Sequence, residues 1–498
     1  MRRKTKIQIM EFLLSAWWIV DRLRTLQVLR AHAAGYSRPL GGICSFKIPF
    51  LFLVRVHQHP PRYVPRILLL VCTLAPVVLL AQHAAAKPPK LQYYSPDSSA
   101  WVRATFLNQT WVRYTELNPR SSLDGTARDS YFDISLRRTR FQLYGGWGRV
   151  FFYTQYGLNN FNWHSARRQG FFIHDAVGEL ALHPRSLSLG AGLTGWSGLA
   201  RYAAPSAANI LGYDAPLYEQ ATNDLTDQFL RKLSIYAKGK LGKLDYRLAL
   251  SSPLSVKQVD SSVYRLRQGV ASFSSRPPTP QLNSYLQYQL WDEESNQTPY
   301  IAGTYLGQKR VLTLGAGITY QQDAMWRLQK PAEAPPTAHP DTLTDDMLLL
   351  SIDAFMELPV GHQGCALSVY TALQHMDFGQ NYVRMQGVNN PATVGGNSLP
   401  LNGTGTLHYL KAGYLLPAGL LGQWGTLQVV ASQQLNMLEA LDSPAYIWEG
   451  SLNWLVASQG SKISLGYQSR PVYRQLADGK MELDTRRGTY VVQWQVSI

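Results

Sequence analysis

Thr489–Ile498 (TYVVQWQVSI) is the stretch whose reading decides the fold of this chain. Tyr490, Val492, Trp494, Val496 and Ile498 fall on one face of an extended strand. Thr489, Val491, Gln493, Gln495 and Ser497 fall on the other, because successive side chains of a strand point to opposite sides. An apolar row backed by a mostly polar one suits a strand with lipid outside and water inside. In a soluble sheet the same row would be an aggregation-prone edge. Closing the sheet into a barrel, with this strand paired to the first one, removes that edge.

Upstream of the barrel the composition changes. Arg66 precedes Ile67–Leu80, an apolar run broken by Thr73 and Pro76, and Ala84-Ala85-Ala86 follows. Basic, apolar and small residues in that order predict a secretory signal at 66–86, with cleavage before Lys87. The apolar run is shorter than the roughly 20 residues a membrane helix needs. Residues 1–65 precede the signal as a basic, irregular extension, expected to be absent from the mature protein of 87–498. The whole chain carries 48 Lys and Arg against 32 Asp and Glu. Of these, 12 basic and two acidic residues fall in 1–86, leaving 36 against 30. So small an excess excludes a nucleic-acid-binding surface. Cys44 and Cys72 go with the leader and only Cys365 remains, so no intrachain disulfide is expected.

Along 87–498 the recurring signal is alternation over about ten residues, separated by turn residues. Leu312, Leu314, Ala316, Ile318 and Tyr320 oppose Val311, Thr313, Gly315, Gly317 and Thr319; similar rows occur at 186–193, 446–456 and 462–467. Short connections fall at 145–148, 183–186, 241–243, 307–309, 359–364, 417–423 and 458–461. Longer polar ones fall near 117–129, 158–169, 196–227, 251–297, 322–344, 378–403, 435–444 and 470–486. Strict alternation of short and long is the hairpin pattern of a transmembrane antiparallel β-barrel. It predicts an all-β fold of about 16 strands, with 18 as the alternative, and places the eighth strand between 297 and 307. Asn283–Leu290 also alternates, and is assigned to the fourth loop or to an extension of the next strand. Arg138 and Arg140 fall out of phase with Ile134 and Leu136, which predicts a bulge after Arg137.

The third loop is the most distinctive. Gly195-Trp196-Ser197-Gly198 opens it, Ala203–Ile210 has the composition of a short helix, and Tyr213-Asp214-Ala215-Pro216 leads out. A loop of this length is expected to fold into the lumen and set the bore. By strand phase, the basic residues expected to line the pore are Arg103, Arg113, Arg137, Arg140, Arg149, Lys232, Lys238, Arg247, Lys411 and Lys462, with Arg201 from the loop. The acidic ones are Asp175, Glu179, Asp245, Asp353, Glu357 and Glu449. Such charges replace part of an ion's hydration and concentrate ions of one sign. Trp111, Tyr114, Trp424, Tyr446, Trp448 and Trp494 are expected on the outside, in the aromatic girdles at the two interfaces.

Tyr131–Phe141 (YFDISLRRTRF), Val150–Tyr156 (VFFYTQY), Leu193–Tyr218, Phe229–Pro253 and Gly303–Tyr320 resemble segments of the phosphate-selective porin O/P-like family. The resemblance implies a bacterial outer-membrane location, a 16-stranded homotrimer and a pore lined by basic residues. Its partners would be outer-membrane lipid and small hydrophilic or anionic solutes. The phosphate-specific members owe selectivity to a dense lysine and arginine ladder, whereas here Arg201 is the only basic residue in 195–228. Expected is therefore passive diffusion with modest anion preference. An uptake receptor or adhesin is the alternative. No catalytic motif, metal-ligand spacing or nucleotide loop occurs, so neither enzymatic activity nor a cofactor is expected.

Overall fold

The computed structural model describes residues 91–166, 170–219, 230–253, 266–329, 341–361, 363–392, 395–476 and 480–498. The expected extension at 1–65 and signal at 66–86 lie outside the described residues.

Leu107–Thr115 runs antiparallel to Thr489–Ser497, and paired backbone bonds between Phe106 and Ile498 (3.0 and 2.9 Å) carry the ladder to the last residue. The sheet therefore closes on itself. The ring begins with β1 (Ala100–Glu116), β2 (Ser130–Trp147), β3 (Val150–Phe161), β4 (Phe172–His183), β5 (Leu187–Thr194) and β6 (Lys232–Leu241). It continues with β7 (Leu244–Ser252), β8 (Gln281–Gln289), β9 (Val311–Leu328), β10 (Thr342–Val360) and β11 (Cys365–Asp377). It ends with β12 (Gly405–Leu415), β13 (Thr426–Leu438), β14 (Ala445–Gln459), β15 (Ser461–Gln475) and β16 (Met481–Ser497). These are 16 strands, all paired antiparallel to their sequence neighbours. A short strand, Leu91–Tyr94, pairs with the start of β1 beyond the end of β16.

The two faces separate as the alternation predicts. Ile134, Ile235 and Trp494 on the outer row are 66%, 61% and 57% exposed, whereas Gln109, Gln493 and Gln495 on the inner row are fully buried. An apolar surface all round with a polar interior is what a barrel in lipid requires.

Three expectations about the strands need correction. The eighth strand is Gln281–Gln289, paired with β7 on one side and β9 on the other, and does not lie between 297 and 307. Its Leu282, Leu286 and Tyr288 point outward, so the alternation noted at 283–290 was the strand itself. The count survives because one strand was exchanged for another. The turn expected at 307–309 is in consequence the end of a long connection, Leu290–Arg310, on the rim of tight turns. The loops expected near 435–444 and 470–486 are short, because β13, β15 and β16 extend beyond the apolar rows by which the sequence was divided.

Candidate functional site

The chemistry of the barrel is on its inner wall. The register of β1 against β2 shifts by one residue between Leu136 and Arg138, so that Arg137 is the extra residue of a bulge. The phase of β2 flips there, as expected, so consecutive residues Arg137 and Arg138 both turn inward and Arg140 follows on the same side. Arg138 was not among the residues expected to line the pore, although the out-of-phase pair Arg138 and Arg140 was the signal for it.

The described residues of the third loop, 195–219 and 230–231, lie inside the barrel. Asp214, midway along it, takes Arg137 Nε at 3.0 Å and Arg138 Nη2 at 2.6 Å. Burial pushes its carboxyl up, but Arg137 and Arg138 outweigh that and hold it well below the ordinary range. Lys411 Nζ donates to the Asp214 carbonyl (2.6 Å), and Lys462 Nζ to the carbonyls of Ile210 and Gly212 (3.1 Å each). Gln109 and Gln495 donate to the carbonyls of Ala207 (3.2 Å) and Ala208 (2.9 Å). Amide and ammonium donors of the wall thus satisfy the carbonyls of a buried coil, which would otherwise be costly to leave unpaired. Inward glycines give the loop room. A methyl at Gly317 would overlap the Leu199 carbonyl, and one at Gly466 would lie 2.7 Å from the Tyr213 ring. The helix expected at 203–210 is instead two single 3-10 turns, Arg201–Ala203 and Ala207–Asn209, parted by Pro205.

Leu290–Arg310 enters the lumen from the opposite rim and meets the third loop. Ile301 N donates to the Ala204 carbonyl (2.9 Å), Ser206 N to the Ile301 carbonyl (2.8 Å) and Gly303 N to the Asn209 carbonyl (2.9 Å). Arg201 lies 3.8 Å above the Phe355 ring and makes a two-pronged contact with Glu294 (2.7 and 2.6 Å). Burial lowers the basicity of Arg201, but Glu294 beside it more than offsets this and raises it. The wall holds this second segment as well. Lys238 and Arg247 donate to the carbonyls of Asn296 (2.7 Å) and Pro299 (3.0 Å), and Glu357 accepts from the amides of Tyr305 and Gly307.

The sixth loop reaches across the mouth at the long-loop rim. Its hairpin, Val383–Gln386 with Leu399–Gly403, leads to Val388 and Asn389, whose carbonyls accept from Arg113 (2.7 and 2.6 Å). Arg113 is itself fixed by Asp133 at 2.8 Å on the neighbouring strand.

Most of the residues named from the sequence lie on the inner side of the strands and bond to the segments within the barrel. Lys232 reaches Gln281 and Asn283, Asp245 lies 3.8 Å from Arg247, and Glu179 takes Lys238 at 3.0 Å. Asp175 accepts from Tyr300, Asp353 accepts from Tyr285 and the Arg201 amide, and Glu449 accepts from Tyr213. Arg103 faces inward near the turn rim, 5.7 Å from the Tyr144 ring. Two assignments fail. Arg149 is exposed in the tight turn between β2 and β3, where Gly148 has a positive φ, and does not line the lumen. Trp111 shares the phase of Arg113 and points inward, its Nε1 donating to Gln493 (2.8 Å) and its ring packing on Tyr213. Arg231, at the end of the third loop, was missed. With Arg138, Arg140 and Tyr300 it lines a cavity of about 30 Å³ beside Ala203–Ala207.

No protein-family model and no curated protein matches the chain. Solved structures of similar shape include an anion-selective porin from Comamonas acidovorans, at 12% identity over 80% of this chain and all of that one, with a TM-score of 0.43. The outer-membrane OmpT of Vibrio cholerae is 6% identical over 82% of this chain and all of that one (TM-score 0.43). OmpF of Salmonella typhi in complex with daunomycin is 9% identical over 82% of this chain and all of that one (TM-score 0.46). The assignment of a closed barrel rests on the strand ladder itself.

Proposed function

We propose that this protein is a bacterial outer-membrane porin that passes small hydrophilic solutes by passive diffusion, with a modest preference for anions. The observation that carries the reading is the cluster of guanidinium groups at the level of the third loop: Arg137, Arg138, Arg140 and Arg231 converge there, against Asp214 and Asp175. A solute squeezed past them stays within a Debye length, about 8 Å at physiological salt, so their field is only partly screened. Because Asp214 and Asp175 offset part of the charge, the bias is small. Arg201, the one cation in the body of the third loop, is engaged by Glu294, so the reading stops at anions as a class and does not single out phosphate. Assembly as a homotrimer is proposed from the family resemblance alone. Purified protein in a planar bilayer is expected to give steady ohmic steps; absence of steps from correctly assembled barrels would overturn the proposal.

A further inference from the structure

We infer that Leu290–Arg310 is a second constriction element, docked against the third loop from the opposite rim, and that Glu294 is the positioning residue that keeps the two together. This goes beyond the porin reading and rests on it. A tight turn between β8 and β9 would suffice to join antiparallel neighbours, yet the chain here threads the lumen and forms a parallel bridge, Pro205 to Ile301, with the third loop. Each segment has its own anchors on the wall, Arg137 and Arg138 holding Asp214 of the loop and Glu357 holding the Tyr305 amide of the connection. Between the segments runs an ion pair, Arg201–Glu294, whose side chains are 0% and 3% exposed and both belong to connections outside the strands. Removing the charge of Glu294 leaves the Arg201 guanidinium buried with its main counter-charge gone, which favours separation of the segments.

The test uses single-channel conductance and the size limit for neutral sugars in liposome swelling. Glu294→Gln keeps the shape and loses the charge; it is expected to give larger steps and to admit larger sugars than the wild type. In the same variant, Pro205→Cys with Ile301→Cys, on a Cys365→Ser background, places two thiols on bridged residues, where the backbones are close enough for a disulfide. Oxidation is expected to restore the wild-type step and reduction to release it again. Both states are one assembled protein, so misfolding cannot imitate the change. Wild-type steps and sugar limits in Glu294→Gln, unchanged by oxidation or reduction, would overturn the inference while leaving the porin reading intact. A wild type that assembles and never conducts would overturn both.

Discussion

The third loop and the Leu290–Arg310 connection both occupy the lumen, but the sequence announces only the first. The third loop falls between two well-marked strands, on the rim where long connections are expected, and carries an unusual run of small residues. Leu290–Arg310 leaves the rim of tight turns, and its own start overlaps the end of an alternating stretch. Both are coils whose polar backbone is satisfied by wall side chains. Periodicity identifies strands by exclusion of such segments, and cannot say where an excluded segment goes. The inner wall is thus better understood as a set of docking groups for two segments than as a bare charged surface.

The largest effect is expected where the third loop meets the wall. Asp214→Ala leaves two buried guanidinium groups without their shared carboxylate, and loss of a buried partner typically costs about 3–5 kcal/mol. Larger, noisier steps are expected with the barrel still assembled. If the steps stay as in the wild type, the Asp214 anchor does not hold the loop. On the outside, Trp494→Asp places a charge on the lipid face at a cost of roughly 1–4 kcal/mol depending on depth. Reduced yield of heat-modifiable barrel is the expected result, and normal assembly would show that this row does not face lipid.

Glycine positions sharpen the contrast at a smaller scale. Gly317→Ala crowds the Leu199 carbonyl, and overpacking of this kind costs about 1–3 kcal/mol. It is expected to alter conductance through the third loop, whereas Gly178→Ala on the outer face of β4, where no neighbour lies within 4 Å, is expected to leave conductance unchanged. A shift in the second and not the first would reverse the assignment.

How much of this was legible follows from the physics of each feature. The closure of β16 on β1 was legible because an alternating row with apolar and polar faces has one stable environment. The bulge at Arg137 was legible because two arginines broke phase with two apolar neighbours. Trp111 was misplaced because an aromatic residue suits a lipid interface and a packed interior equally well, and only its shared phase with Arg113 distinguishes them. Arg149 was misplaced because phase was carried through a turn, where it has no meaning. The partners of the inward charges could not be foreseen, since Lys462 and Ile210, or Arg201 and Glu294, are brought together only by the paths of the coils.

A weaker effect comes from Glu219, at the described end of the third loop. Burial, with Asp353 as the next cause, raises its carboxyl from 4.5 to about 8; Gln374 and Tyr370 donate to it. The seated loop therefore binds this proton more tightly than the released loop. Its contribution to seating is full below about 4.5 and is lost as pH rises through about 8. Conductance noise is expected to grow from pH 5 to pH 9, and Glu219→Gln to flatten the profile. An unchanged profile in that variant would assign the dependence elsewhere. The smallest effect belongs to Arg149→Gln, which is expected to leave conductance and ion preference as they are, because this residue stands in an exposed turn.

The central claim, a lumen constricted by inserted segments and biased by the arginines of β2 and Arg231, is tested most directly by the reversal potential across a salt gradient. The account predicts a modest anion preference in the wild type, reduced when Arg138 and Arg231 are replaced by glutamine. Cation preference in the wild type, or a preference unaffected by removing those two charges, would contradict it.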